Sequence, residues 1–217
     1  MKYDAVIFDL DGTILATLDD LSDSLNFALK NNGLPIRTID EVRSFVGNGI
    51  RNLILRAVPS GTDNIIIDKV HSDFTKHYSV HCSDKTKAYD GIYDLLGKLK
   101  KDGIKLAVLS NKADYAVQIL CEQYFHGFFD AVQGEITGIP KKPSPEGVYA
   151  IIDKLGIPSQ KCVYVGDSEV DITTANNSKL DCIIVDWGFR SRTTLTNAGA
   201  NLIVSTPCEL YEVIAQK

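Results

Sequence analysis

A run of the buried-strand type opens the chain at Ala5–Leu10, and the next such run does not begin until Ile104. From there the runs follow in quick succession: Ile104–Ser110, Phe128–Gln133, Cys162–Gly166, Cys182–Asp186 and Asn201–Val204. Several are continuously apolar, which marks strands covered on both faces, as in a parallel sheet. Helical periodicity fills the gaps. Ile92, Leu95, Leu96 and Leu99 form one stripe, which Gly103 stops. Val117, Leu120, Cys121 and Tyr124 form a second, ending near Gly127. Ser144-Pro145 predicts the start of a third, with an N-cap and a proline in the first helical position, and Gly156 its end.

The first interval is the exception. A βαβ unit takes about 30 residues in all, so the stretch between Leu10 and Ile104 holds an insertion. Its pattern is helical throughout. Leu18, Leu21, Leu25, Ala28 and Leu29 recur at helical spacing and stop at Asn31-Asn32-Gly33. Thr38 and Glu41 make a capping-box pattern ahead of Val42, Phe45 and Val46. Gly47-Asn48-Gly49 reads as a turn, Ile50, Leu53, Ile54 and Ala57 as a helix, and Ile66, Val70 and Phe74 as another. The expected fold class is therefore α/β. A Rossmann-like parallel-sheet core takes residues 1–16 and 85–217, and an inserted α-helical domain takes residues 17–84.

Composition narrows the partners. The 217 residues carry 23 Lys and Arg against 28 Asp and Glu, a net charge of −5. A nucleic-acid binder usually shows a basic excess, so no nucleic-acid partner is expected. With 44% hydrophobic residues the chain can build a full core. Asp4, Asp9 and Asp11 interrupt the first apolar run, so no secretory signal is read there, and no window is apolar enough to span a membrane. The five cysteines form no C-x-x-C pair, which fits free thiols in a reducing, cytoplasmic setting.

Polar residues gather where the strands end. The first strand runs into Asp9-Leu10-Asp11-Gly12-Thr13. Open α/β sheets bind ligands at the carboxyl edge, and two neighbouring carboxylates there need a cation or a proton to coexist. Asp-Gly is also a common turn. Ser110 and Asn111 end the second strand, able to donate to phosphate oxygens or to cap the following helix. Lys142, in Lys141-Lys142-Pro143-Ser144-Pro145, is a compact cation between restrictive prolines, suited to a phosphate or simply solvated. Gly166-Asp167-Ser168 with Asp171 closes another strand, where acids also favour a helix N-terminus without any ligand.

Taken in order, these four features resemble the haloacid dehalogenase superfamily of Mg²⁺-dependent phosphohydrolases, along essentially the whole chain. Val46-Gly47-Asn48-Gly49, and Asp90-Gly91 with the leucines behind it, look like the phosphoglycolate phosphatase branch, and the helical insert looks like the family's cap. The resemblance implies a phosphoric monoester hydrolase acting on a small phosphorylated metabolite. In it Asp9 is the nucleophile that forms an aspartyl-phosphate, and Asp11 protonates the leaving group and then activates water. Lys142 completes the catalytic set and holds the phosphoryl group with Ser110 and Asn111. Mg²⁺ is implied on the Asp9 carboxylate, the Asp11 carbonyl and the Asp167 carboxylate, with Asp171 behind them. In the cap, Asn48 and Arg51 are candidates to meet substrate, Arg51 equally a solvated helix arginine. A β-phosphoglucomutase-like phosphomutase and an inorganic pyrophosphatase share the same core. A phospho-Asp signalling receiver is the alternative of a different class. The metabolite and the oligomeric state are not encoded in these spacings.

Overall fold

The computed structural model describes residues 2–216. In chain order the elements are β1 (Ala5–Phe8), β2 (Leu15–Ala16), α1 (Leu18–Asn31), α2 (Ile39–Phe45), α3 (Ile50–Ala57), α4 (Asn64–His81) and β3 (Lys87–Ala88). There follow α5 (Ile92–Lys101), β4 (Lys105–Ala113), α6 (Asp114–Phe125), β5 (Ala131–Glu135), α7 (Glu146–Leu155) and β6 (Cys162–Gly166). Last come α8 (Glu169–Ser178), β7 (Asp181–Val185), α9 (Arg192–Asn197), β8 (Ile203–Val204) and α10 (Pro207–Ala215). All six expected strands are present, Cys162–Gly166 with the ends as read and the other five with shifted ends. Helix α7 begins after Ser144-Pro145 rather than on it: Pro145 takes the cap position, and the Ser144 hydroxyl turns to the Glu146 carboxylate. The Thr38–Glu41 capping box forms as read, each partner bonding the other's backbone N–H.

Two compact units result. One holds the chain up to Leu15 and from Ala88 onward, the other Ala16–Lys87. The first is built on a parallel six-stranded sheet in the order β5-β4-β1-β6-β7-β8. Alternate residues of a strand face opposite sides. Ala5, Ile7, Ala107, Leu109, Cys162 and Tyr164 share one face with Val148 and Ile151 of α7. Val6, Phe8, Leu106, Val108, Val163 and Val165 point the other way and are equally buried, so this is an α/β sheet covered on both faces. Strand β1 lies between β4 and β6, so the chain order reverses direction beside it. The crevice at the carboxyl ends of such a switch point is where open α/β sheets bind ligands.

The helical unit buries Leu25, Leu29, Val42, Ile54, Val70 and Phe74 between its four helices, with Phe74 and Tyr78 stacked at 5.3 Å. Asp20, in the first turn of α1, is 2% exposed. Its carboxylate accepts from the N–H groups of Lys85 and Thr86 and from the Thr86 hydroxyl, tying the last segment of the unit to its first helix. Among the described residues no helix is long and apolar enough to cross a membrane. None of the five cysteines forms a disulfide.

Candidate active site

Strand β1 stops one residue before Asp9, whose N–H still bonds the Val165 carbonyl at 2.8 Å. The chain then folds back sharply. The Leu10 carbonyl accepts from Ile14 and Leu15, and Gly12 adopts φ +87°, a conformation L side chains avoid. This turn holds Asp9 and Asp11 at the sheet edge but sends them to different partners.

Asp9 meets Lys142. The ammonium lies 2.9 Å from Asp9 Oδ1 and 2.8 Å from Asp171 Oδ1, and it donates to the Tyr164 hydroxyl at 3.0 Å. Oδ1 of Asp9 also accepts from Leu10 N–H at 2.7 Å, which leaves Oδ2 to meet an incoming atom. Asp171 is fully engaged: its second oxygen accepts from the N–H and hydroxyl of Ser168 in a capping box at the start of α8. Asp167 accepts from Phe189 N–H at 2.7 Å and from the Thr13 hydroxyl at 3.3 Å. Trp187 ties down the same loop by donating to the Thr13 carbonyl at 3.0 Å. Space around Asp167 is filled by backbone: a methyl group added at Gly12 or at Gly188 would come within 2.4 Å of its Oδ2.

The charges do not balance. Asp9, Asp167 and Asp171 are buried, each offering an oxygen within 4.8 Å of the others. Lys142 is the cation that touches two of them. Burial, and then Asp171 and Asp11, push Asp9 up to about 7 against the pull of Lys142. Burial, with Asp171 and Asp9, drives Asp167 well above the usual carboxylate range. Burial would lower Lys142, but Asp171 and Asp9 outweigh it and hold the ammonium firmly protonated. Three carboxylates against one ammonium leave two negative charges, so the donor set fits a divalent cation with oxygen ligands. Without one, protons must take its place.

Asp11 meets a different lysine. Lys112 Nζ lies 2.8 Å from Asp11 Oδ1, with both side chains largely out of water. Ser110, Asn111 and Lys112 are buried in succession, continuing the buried run of β4 that begins at Leu106. The register of β4 against β5 slips between Leu109 and Ala113, the stretch that holds these three residues. Ser110 Oγ accepts from Lys112 N–H, while Asn111 donates to the Lys142 carbonyl at 3.0 Å and so anchors the lysine loop.

A family model described as haloacid dehalogenase-like hydrolase matches residues 6–185, a span that contains the carboxylates and lysines of this site and stops short of Trp187 and Phe189. The chain belongs to the haloacid dehalogenase-like hydrolase family. A phosphoglycolate phosphatase of Chromobacterium violaceum is 32% identical over 215 residues, covering 97% of this chain and 96% of that one. One from Xanthomonas campestris pv. campestris is 30% identical over 213 residues, with 97% and 96% covered. A crystal structure from Lactobacillus delbrueckii subsp. bulgaricus, provisionally named a phosphoglycolate phosphatase, superimposes with a TM-score of 0.95 at 39% identity, covering 100% of both chains. The enzyme class expected from the sequence, a phosphoric monoester hydrolase, agrees with the family and with the names of these relatives.

In this haloacid dehalogenase-like hydrolase, Asp9, Asp11, Ser110, Asn111, Lys142, Asp167 and Asp171 all belong to the sheet-bearing unit. Asn48 and Arg51 belong to the helical unit, where Arg51 pairs with Asp68 at 2.8 Å on an exposed surface. Sequence reasoning missed the Lys112 partner of Asp11, the Tyr164 hydroxyl beside Lys142 and the Phe189 N–H on Asp167. Lys112 had one visible signal, a third polar residue in succession at a strand end. Tyr164 had a weaker one, a hydroxyl inside an otherwise apolar strand.

Proposed function

We propose that this chain is a Mg²⁺-dependent phosphatase that hydrolyses a small phosphomonoester of the phosphoglycolate type through an aspartyl-phosphate on Asp9. The observation that carries the reading is the uncompensated carboxylate cluster, with Lys142 Nζ 2.9 Å from Asp9 Oδ1 at the edge of β1. Mg²⁺ would be held by the Asp9 and Asp167 carboxylates and the Asp11 carbonyl, and would supply charge neutralisation for a phosphate brought among carboxylates.

The chain's own groups divide the remaining work. Asp9 Oδ2 attacks phosphorus, forming the Asp9–phosphorus bond as the ester P–O bond breaks. Asp11 gives its proton to the departing alkoxide oxygen. Asp11 then takes a proton from water, which attacks phosphorus and frees Asp9 and inorganic phosphate. Lys142 and Ser110 hold the developing charge on the phosphoryl oxygens, and Asn111 keeps the lysine loop in place. Asp171 keeps Lys142 aimed at Asp9. The names of the relatives favour phosphoglycolate as substrate, and the free thiols suit a cytoplasmic setting.

A phosphate-release screen tests the reading. It would cover phosphoglycolate, sugar phosphates, nucleotides and pyrophosphate, each with and without Mg²⁺. Turnover is expected on small monoesters, highest with phosphoglycolate, and dependent on Mg²⁺. Turnover independent of any divalent cation, or confined to pyrophosphate, overturns it.

A further inference from the structure

We propose that Lys112 is the positioning residue for Asp11, the group assigned to the leaving oxygen's proton; the inference rests on the phosphatase reading above. A lysine is seldom withdrawn from water unless it is paired. The Lys112 side chain is 4% exposed, and its ammonium lies 2.8 Å from Asp11 Oδ1. The two residues come from different strand ends, β1 and β4, so the contact is a product of the fold and not of local sequence.

Lys112 is held from below. Its N–H donates to Ser110 Oγ, and it closes the continuously buried stretch of β4. Asp11 lies beyond the end of β1, in the turn between Leu10 and Gly12, where its backbone bridges to Leu15 while its side chain is left to find its own partner. A fixed ammonium facing a carboxylate on a turn restricts where that carboxylate can point. Lys142 cannot substitute for it, since its contacts are Asp9, Asp171 and Tyr164. The site thus assigns one buried lysine to each carboxylate of Asp9-Leu10-Asp11: Lys142 to the attacking group, Lys112 to the proton-transferring one.

This division has a kinetic signature. Proton donation matters most when the leaving oxygen is strongly basic, as in an alkyl ester, and least for a p-nitrophenolate. Misplacing Asp11 therefore weakens alkyl turnover selectively, whereas general damage to the fold weakens both alike. The test compares kcat/KM for 2-phosphoglycolate and p-nitrophenyl phosphate, with Mg²⁺, on a single preparation, so that any inactive fraction cancels in the ratio. Lys112→Met is expected to lose about 10–100-fold on the alkyl ester and under about 3-fold on the aryl ester. Lys112→Arg should restore part of the difference. In an Asp11→Asn background Lys112→Met should add little, because the two act as one unit. If Lys112→Met does not fold, Lys112→Arg carries the test, with a smaller selective loss on the alkyl ester. Equal losses on both esters, no loss, or losses that multiply in the double variant overturn the proposal while leaving the phosphatase reading intact. Full activity of Asp9→Asn overturns the phosphatase reading, and this inference with it.

Discussion

Lys142 Nζ stands 2.9 Å from Asp9 Oδ1, the residue after β1, although Lys142 itself arrives on the loop between β5 and α7. The pair brings opposite charges together at the reversal point of the sheet. Asp171 and Tyr164 hold the ammonium from behind. Lys142→Met should lower kcat about 10²–10³-fold, since a fixed donor to a developing oxyanion is worth that much. Lys142→Arg should recover little, because a planar guanidinium does not fit three partners arranged around a point charge. Steady-state kinetics with Mg²⁺ check both; kcat within threefold of the parent would contradict the role.

Asp9 is held at about 7 against an ordinary 3.8, chiefly by burial. The folded state therefore binds this proton more tightly than the unfolded chain, so its stabilising effect is present at low pH. Without divalent cation, that effect is lost as pH rises from about 4 through 7. Asp9→Asn removes the buried charge and should raise the melting temperature in EDTA at pH 8 by about 2–8 °C, a gain that shrinks by pH 5. Thermal unfolding across pH with and without Mg²⁺ reads this directly, and Mg²⁺ should narrow the gap at pH 8 by stabilising the parent. A melting temperature unchanged by the substitution at pH 8 would contradict the reading of a strained cluster.

Gly12 has φ +87° and no room for a methyl group beside Asp167. Gly12→Ala should cost about 1–3 kcal/mol of stability and push Asp167 aside. The expected result is a lower melting temperature together with a higher Mg²⁺ concentration for half-maximal activity. An unaltered Mg²⁺ requirement would separate this turn from the cation site.

Much of this architecture is legible in the sequence. Six strands follow from runs of Val, Ile, Leu and Ala, because burial on both faces leaves few other residues possible. The polar residues at their ends were equally visible, because a sheet interior tolerates them nowhere else. The partners were not. Nothing in the spacing says that Asp11 meets Lys112 while Asp9, two residues away, meets Lys142. That choice depends on a slipped register in β4 and a tight turn after β1, and strand patterning records neither. The Phe189 N–H on Asp167 was hidden for a simpler reason, since any residue but proline can donate from its backbone.

Asp20 was also unmarked, as one of two acids in the first turn of α1. Its buried carboxylate takes hydrogen bonds from two backbone N–H groups and a hydroxyl at Lys85 and Thr86. Asp20→Ala leaves the buried Thr86 N–H and hydroxyl without that partner and should destabilise the protein by about 2–4 kcal/mol. Urea unfolding should show a lower midpoint. A midpoint within error of the parent would mean that water replaces the carboxylate freely.

Covalent catalysis at Asp9 is the centre of the account, and chemical trapping measures it most directly. Protein mixed with phosphoglycolate and Mg²⁺, quenched in acid during turnover and reduced with borohydride, converts an acyl phosphate to an alcohol. Peptide mass spectrometry should then find homoserine in place of Asp9, and no such product from Asp9→Asn, whose phosphate release should fall at least about 10³-fold. Homoserine at Asp11, or Asp9→Asn retaining a tenth of the parent's activity, would contradict it.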